Sequence, residues 1–337
     1  MTPGSALNER SAVALTICVV GAGHWSTSAH LPALKRVQEA GLADYAGVCD
    51  LNEDRANPYA AELNAGAYTD LDKMIREVKP NGLTLLVGCR DMPGMILKAI
   101  EHGIPFLCEK PPATDAGTHI RLLNAAGGLV HAVGYNRRHA PYVTRAKEWL
   151  AGEALQTVTA HFTRHRRREA DFTTTSVHAI DTVLYLAGEL ESARLEVAPT
   201  GHVCNSFISG WTKDGVRVDV AVTPDTASAQ EHYIVRSTQK TVRVAFPQRP
   251  TIDYPGYVEL HEKNQVTRRL TCTDFGLAED DLPGLTGVLA EEELFARMLT
   301  GNAEPRSTLR TSLQTQQLRE LLACSPTGRT QIEWPTT

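Results

Sequence analysis

The stretch from Ile17 to Pro32, ICVVGAGHWSTSAHLP, is the feature that most constrains the fold. Four apolar residues lead directly into Gly21-Ala22-Gly23, and apolar residues at helical spacing follow. The pattern predicts a strand, a tight turn and a helix. Gly21 permits the turn, and Gly23 leaves room for a pyrophosphate, which the free N–H groups at the helix start would bind. Because Ser26 replaces the third glycine of G-x-G-x-x-G, a purely structural turn is the alternative.

Strands and helices continue to alternate after this turn. Apolar strand patterns at residues 45–49, 83–88, 105–108 and 129–134 are separated by helical patterns, which predicts parallel β-α-β units with helices on both faces. In such a sheet the ligand lies across the carboxyl ends of the strands. Besides the glycine turn with Ala22, the residues near those ends are the candidate cofactor contacts: His24, Trp25, Asp50, Leu51, Arg55, Cys89, Arg90, Glu109, Lys110 and Asn136.

Asp50 closes the second predicted strand, 27 residues beyond Gly23, where the usual distance is about 20. An acid at this point can accept hydrogen bonds from both ribose hydroxyls. It also repels a 2′-phosphate, which favours NAD over NADP. Arg55 is close enough in sequence to tolerate such a phosphate, so NADP stays open. The alternative role for Asp50 is an N-cap of the helix that starts near Leu51.

The pattern changes beyond about residue 154. An alternating strand at Ala154–Arg164 and a helix at Ser176–Leu186 are followed by seven short strand patterns up to residue 271. Two helices, Val288–Leu299 and about Leu309–Leu322, close the chain. This half predicts an α+β domain with a mainly antiparallel open sheet. The expected organisation is an α/β cofactor domain over residues 1–136 and an α+β domain over residues 137–337.

Composition narrows the class of protein. A chain of 337 residues is too long for one ordinary core, which predicts two domains. A net charge of -5 gives no reason to expect nucleic acid or an anionic membrane as a partner. There is no apolar run of about 18 residues and no signal-peptide pattern. The seven cysteines are scattered and form no C-x-x-C, which predicts free thiols in a reducing cytoplasm and no metal site.

Three further segments carry a resemblance. CEKPPATD contains Glu109-Lys110-Pro111, VGYNRRHAP covers residues 133–141, and SVHAID contains an H-x-x-D helix pattern at His178. At this spacing they resemble the glucose–fructose oxidoreductase / inositol dehydrogenase (Gfo/Idh/MocA) family. The resemblance implies a Rossmann domain and a sheet domain, with a homodimer or homotetramer formed through the open sheet face. It also implies NAD or NADP, and hydride transfer to or from a sugar, cyclitol or related alcohol.

The resemblance assigns roles to two residues. Lys110 maps onto the lysine that hydrogen-bonds the substrate and the nicotinamide ribose, with a peptide bond to Pro111 that is often cis. His178 maps onto the general acid/base, a role that suits an imidazole near neutral pH. Asp181, one turn further, is expected to orient this histidine or to cap a neighbouring loop. The alternative for His178 is a histidine packed at a domain seam.

Two departures from the family pattern keep other functions open. Thr174 stands where active sugar dehydrogenases of the family usually carry an aspartate, so Asp171 would have to substitute or the histidine would act alone. The loop at Cys89 and Arg90 also differs, and Arg90 could touch the cofactor or an acidic substrate group. The alternatives are an imine or enone reductase, an NAD-dependent glycosidase, and a non-catalytic dinucleotide-binding regulator.

Residues 161–169, HFTRHRRRE, are unusually basic. On a continuing strand, Arg164, Arg166 and Arg168 would share one face and could clamp a carboxylate or phosphate. The substrate would then be a uronic acid, a sugar phosphate or a nucleotide sugar; a solvated strand end paired with a partner subunit is the alternative. The full set of predicted substrate contacts is Lys110, Arg138, Arg166, Arg168, Thr174 and His178.

Overall fold

A six-stranded parallel sheet forms the first half of the chain in the computed structural model, which describes residues 15–168, 172–248, 251–323 and 330–334. The strand order is β3-β2-β1-β4-β5-β6. The sequence pattern therefore predicted the α/β architecture correctly, although the short β3 was missed. The strands are β1 (Thr16–Val20), β2 (Asp44–Cys49), β3 (Gly66–Tyr68), β4 (Gly82–Leu85), β5 (Phe106–Glu109) and β6 (His131–Gly134).

Helices connect these strands, and the strand order changes direction between β1 and β4. The glycine turn follows β1 at this switch point, where open α/β sheets bind their ligands. A π-helical turn, Ser26–His30, precedes the first α-helix. The connecting helices are α1 (Leu31–Glu39), α2 (Glu53–Leu63), α3 (Leu71–Val78), α4 (Met92–Glu101) and α5 (Ala116–Ala126).

A nine-stranded sheet forms the second half, in the order β14-β13-β12-β11-β7-β10-β9-β8-β15. Its pairs are antiparallel except β7 with β10, which confirms the expected sheet type. The strands are β7 (Leu155–Thr163), β8 (Leu190–Thr200), β9 (Val203–Thr212), β10 (Arg217–Thr223), β11 (Gln230–Ser237), β12 (Thr241–Ala245), β13 (Tyr257–Glu262), β14 (Gln265–Leu270) and β15 (Thr330–Trp334).

One face of this sheet is covered by α6 (Pro141–Trp149) and α7 (Thr173–Ala187), with α10 (Leu313–Ala323) packed on α7. The residues of β10 alternate accordingly, because its valines are buried while Arg217 and Asp219 are half-exposed. The opposite face of the sheet is open. Within the described part of the chain, no helix is long and apolar enough to cross a membrane.

The strand predicted to continue through the basic segment ends earlier, at Thr163. The chain turns there, because the Arg164 backbone pairs with Thr223 and Thr226, and Arg166 adopts a left-handed φ of 55°. The prediction that Arg164, Arg166 and Arg168 share a strand face is therefore wrong.

Helices α8 (Leu282–Thr286) and α9 (Val288–Leu299) return to the first sheet. Helix α9 has the bounds predicted from sequence, and Phe295 and Met298 join the core that contains Leu34. At Gly287, between the two helices, a Cβ would lie 2.3 Å from the carbonyl oxygen of Asn136. The turn therefore needs glycine, and it presses α9 against the segment that follows β6.

Candidate active site

The glycine turn has the shape that a dinucleotide requires. Gly21 has a φ of 101°, and a Cβ there would lie 2.7 Å from the Leu86 carbonyl oxygen, so a side chain is excluded. A Cβ at Gly23 would meet no atom within 4 Å, which leaves the backbone accessible. The residues present therefore fit a pyrophosphate at this turn.

Ser26, the departure from the fingerprint, is buried against α2. Its hydroxyl donates a hydrogen bond of 2.9 Å to the Tyr59 hydroxyl. The third glycine ordinarily allows a helix to pack closely. Here a hydrogen bond satisfies the serine instead, so the substitution does not disturb the turn.

Asp50 links the end of β2 to the glycine turn. Its Oδ2 accepts the Ala22 N–H at 2.8 Å and its Oδ1 accepts the Asn52 N–H at 2.9 Å. Each carboxylate oxygen keeps a second lone pair for a ribose hydroxyl. The N-cap of α2 is Asn52, not Asp50, so the capping role considered for Asp50 is wrong. Leu51 and Arg55 are exposed beside it.

A buried histidine that sequence reasoning missed joins three elements. His30 Nε2 lies 2.9 Å from Glu109 Oε1, and His30 Nδ1 lies 2.8 Å from Glu292 Oε1 on α9. Burial disfavours the imidazolium, yet the two carboxylates raise the pKa of His30 to about 10. Glu109 also accepts the Trp25 indole N–H and the Lys110 backbone N–H, both at 2.9 Å. The cation thus fixes the residue that precedes Lys110.

Lys110 links the end of β5 in the first sheet to α7 in the second half of the chain. Its peptide bond to Pro111 is cis, as the resemblance implied. The Nζ donates a hydrogen bond of 3.0 Å to the carbonyl oxygen of Thr174, in the helical turn that leads to His178. Burial, reinforced by the guanidinium of Arg137, lowers the pKa of Lys110 to about 8. The structure therefore brings the two predicted catalytic residues together.

His178 is buried and neutral at pH 7. Burial, together with the charges of Arg137, Lys110 and Arg164, holds its pKa well below the usual value. Its Nδ1 has no hydrogen-bond partner among the residues that the structure describes. Asp181 pairs with another cation, so the orienting role considered for Asp181 is wrong.

That cation is Arg138, predicted to contact substrate. Its NH2 and Nε donate to Asp181 at 2.6 and 2.9 Å, and its remaining contacts include the Arg306 and Thr311 carbonyl oxygens. The guanidinium is buried and saturated. Arg138 therefore holds α7 to the C-terminal segment and does not face a ligand.

A second buried cluster lies beside His178. Glu231 accepts from Arg137 at 3.1 and 3.3 Å and from Arg164 at 2.6 Å. Burial opposes ionisation, but the two guanidinium groups lower the pKa of Glu231 to about 2. Sequence reasoning missed Glu231, which lies inside an alternating strand. The only sequence signal was Arg137 in the N-R-R segment.

The remaining predicted residues are dispersed. Asn136 is buried and donates to the Thr286 carbonyl oxygen at 2.9 Å. Cys89 is half-buried after β4, whereas Arg90 is exposed. Arg166 and Arg168 are also exposed. Glu169 and Asp171 lie outside the described residues, and no cluster of potential metal ligands occurs in the part of the chain that the structure describes.

Comparison with known proteins identifies the scaffold. Residues 15–135 match the Gfo/Idh/MocA model, described as an oxidoreductase family with an NAD-binding Rossmann fold. Residues 15–135 of this chain thus match the NAD-binding Rossmann domain of the Gfo/Idh/MocA family. Inositol 2-dehydrogenase 4 of Saccharopolyspora erythraea is 30% identical to this chain over 228 residues. That match covers 62% of this chain and 66% of the relative, slightly less than two thirds of its length.

Solved structures share the whole fold. A dehydrogenase from Chromobacterium violaceum has a TM-score of 0.79 at 16% identity, covering 92% of this chain and 94% of that one. The WlbA dehydrogenase of the same organism, in complex with NADH and UDP-GlcNAcA, has a TM-score of 0.75 at 17% identity and covers 97% and 98%. At these identities the likeness concerns the fold alone.

Proposed function

We propose that this Gfo/Idh/MocA protein is an NAD-dependent oxidoreductase that transfers hydride to or from a CH–OH group of a sugar, cyclitol or modified sugar. The observation that carries the proposal is the bond from Lys110 to the Thr174 carbonyl oxygen. It holds an ammonium group from the cofactor domain against the helix that presents His178. The curated relative, an inositol dehydrogenase, supports the class of substrate.

Cofactor binding is assigned to the carboxyl ends of the strands. The backbone of the Gly21–Gly23 turn would hold the pyrophosphate, and Asp50 would hold the adenosine ribose and disfavour a 2′-phosphate. Cys89 and Arg90 follow β4 and would line the nicotinamide side. When bound, NAD supplies the acceptor or donor of hydride.

The side chains of the protein would handle the proton. Neutral His178 would accept the hydroxyl proton of the alcohol as hydride leaves the carbon. The Lys110 ammonium would donate a hydrogen bond to the same oxygen as negative charge develops on it. In the reverse direction, His178 would return the proton to that oxygen.

A substitution at Lys110 tests this assignment. NADH and NADPH are first titrated by fluorescence, and polyols and sugar acids are then screened for NAD reduction by absorbance. Lys110→Met should lose at least about a hundredfold in turnover, as expected for removal of a donor to a developing oxyanion, while NADH affinity changes little. Lys73→Met, at an exposed lysine on α3, is the matched control. Near-normal turnover of Lys110→Met would exclude the role.

One observation favours a second candidate. The Nδ1 of His178 has no carboxylate partner within the described ranges, which would suit a cofactor-binding regulator without turnover. Tight NADH binding combined with no reaction on any screened substrate would favour that candidate.

We also propose that the open face of the second sheet forms a homodimer or homotetramer contact in a cytoplasmic protein. Trp211 on this face is 48% exposed, with Arg217 stacked on it. Exposed aromatic residues and arginine are enriched at interfaces. Light scattering should report a dimer or tetramer, and Trp211→Glu should shift it toward monomer. We further propose the boundary near residue 136 between the two domains, with α9 returning to the first.

A further inference from the structure

Among the residues that the structure describes, the buried cations beside His178 lack a full set of counter-ions. Arg137 and Arg164 share one carboxylate, that of Glu231. The Lys110 ammonium is bound to the carbonyl oxygen of Thr174 and, within the described ranges, to no carboxylate. These four charged side chains therefore carry two excess positive charges.

The neighbouring charges offset only part of this excess. Glu109 and Glu292 share the His30 imidazolium, which leaves that group with one negative charge. Arg138 and Asp181 form a neutral pair. Counted over these described groups, the site keeps one net positive charge. Burying a charge without a counter-charge is unfavourable, so the site is poised for an anion.

Position 174 could supply a negative charge to this site, but its residue is a threonine. Thr174 lies four residues before His178 on α7, which places the two on the same side of the helix. Its side chain is neutral. The charges that act most strongly on His178, those of Arg137, Lys110 and Arg164, are all positive. The Nδ1 of His178, which has no hydrogen-bond partner in the described part of the chain, likewise leaves a polar atom for an incoming group.

We propose that the substrate itself brings the missing negative charge, as a carboxylate on a sugar or cyclitol acid. The carboxylate would lie beside Lys110, next to the hydroxyl group that His178 deprotonates. This inference rests on the proposed function and narrows its substrate to an acid. It also makes the residue at position 174 a determinant of acid against neutral substrates, because a carboxylate placed there would compete with that of the substrate.

Equilibrium binding tests this without turnover. D-Glucuronate, D-glucose and D-glucose 6-phosphate are titrated calorimetrically into the full-length protein saturated with NADH. Glucuronate should bind at least about tenfold more tightly than glucose, as expected for one charge interaction in a partly desolvated site. Thr174→Asp should weaken the binding of glucuronate at least about tenfold more than it weakens the binding of glucose.

Two variants separate charge from shape. Thr174→Asn alters the side chain similarly without the charge and should keep a clear preference for glucuronate. Thr300→Asp, at an exposed position at the end of α9, adds the same charge elsewhere and should change neither affinity. The proposal would be overturned if Thr174→Asp and Thr174→Asn weakened glucuronate binding equally. It would also be overturned if the unmodified protein bound glucose and glucuronate with equal affinity. Tighter binding of the phosphate ester than of glucuronate would overturn the assignment to a carboxylate.

The cofactor titration separates this inference from the function beneath it. If NADH itself fails to bind, the oxidoreductase assignment fails first. If NADH binds and the sugars are not distinguished, only the acidic substrate class is wrong.

Discussion

The stability that His30 contributes should depend on pH in a defined way, and replacement of His30 should remove this contribution. The rise in the pKa of His30 from 6.5 to about 10 corresponds to roughly 5 kcal/mol of preferential stabilisation of the charged form. A raised pKa gives stability that is complete below pH 6.5 and is lost as the pH climbs through 10. The stabilisation comes from Glu109 and Glu292, which lie 2.9 and 2.8 Å from the imidazole.

His30→Gln keeps two hydrogen-bonding atoms but removes the charge. At pH 6.5 it should lower the free energy of unfolding by about 3–5 kcal/mol, because two buried carboxylates lose their cation. The difference from the unmodified protein should shrink as the pH approaches 10.5. Lys110 acts in the opposite sense, since its pKa is lowered to about 8 and stability rises as it deprotonates. Taking the difference between the two proteins cancels most of that contribution.

The assay is urea denaturation followed by circular dichroism at intervals from pH 6.5 to 10.5. His202→Gln, at an exposed histidine, is the control and should track the unmodified protein. A destabilisation by His30→Gln that stays constant across this range would refute the argument that His30 is an imidazolium at neutral pH.

Three further outcomes follow from the site. Activity should fall about tenfold between pH 7 and pH 9, because Lys110, with a pKa of about 8, loses the proton that binds the substrate oxygen. The residual activity of Lys110→Arg should lack this decline. A flat pH profile in the unmodified enzyme would contradict the role of Lys110. Asp50→Asn should reduce the preference for NADH over NADPH about tenfold in fluorescence titrations, since the repulsion of a 2′-phosphate is lost, and an unchanged ratio would remove Asp50 from the ribose site. Glu231→Gln should lower the free energy of unfolding by about 3–5 kcal/mol in chemical denaturation, because Arg137 and Arg164 lose their shared counter-ion. A decrease below about 1 kcal/mol, as for an exposed ion pair, would show that this cluster contributes little to stability.

The sequence by itself determined the elements whose signals are local. Parallel strands buried on both faces appear as unbroken apolar runs such as β1, and the half-buried strands of the second sheet appear as alternation. The first and last residues of helix α9 could be predicted from its local sequence pattern. The glycine turn, Asp50 and the pair Lys110–Pro111 could be predicted as site residues because each follows a strand. Parallel sheets bind their ligands at the carboxyl ends of the strands.

Only the tertiary structure decided the partners of the charged groups. Nothing near His30 in the chain indicates Glu292, which lies 262 residues away, and Arg138 could be assigned to a ligand until Asp181 was seen to saturate it. The sequence predicts that the arginines of the basic segment share one face only if the alternating strand pattern continues past Thr163. The pairing of β7 with β10 ends at that residue. The energy of a charge depends on burial and on the nearest opposite charge. Both are set by how distant segments pack, and neither is visible in the residues that flank it.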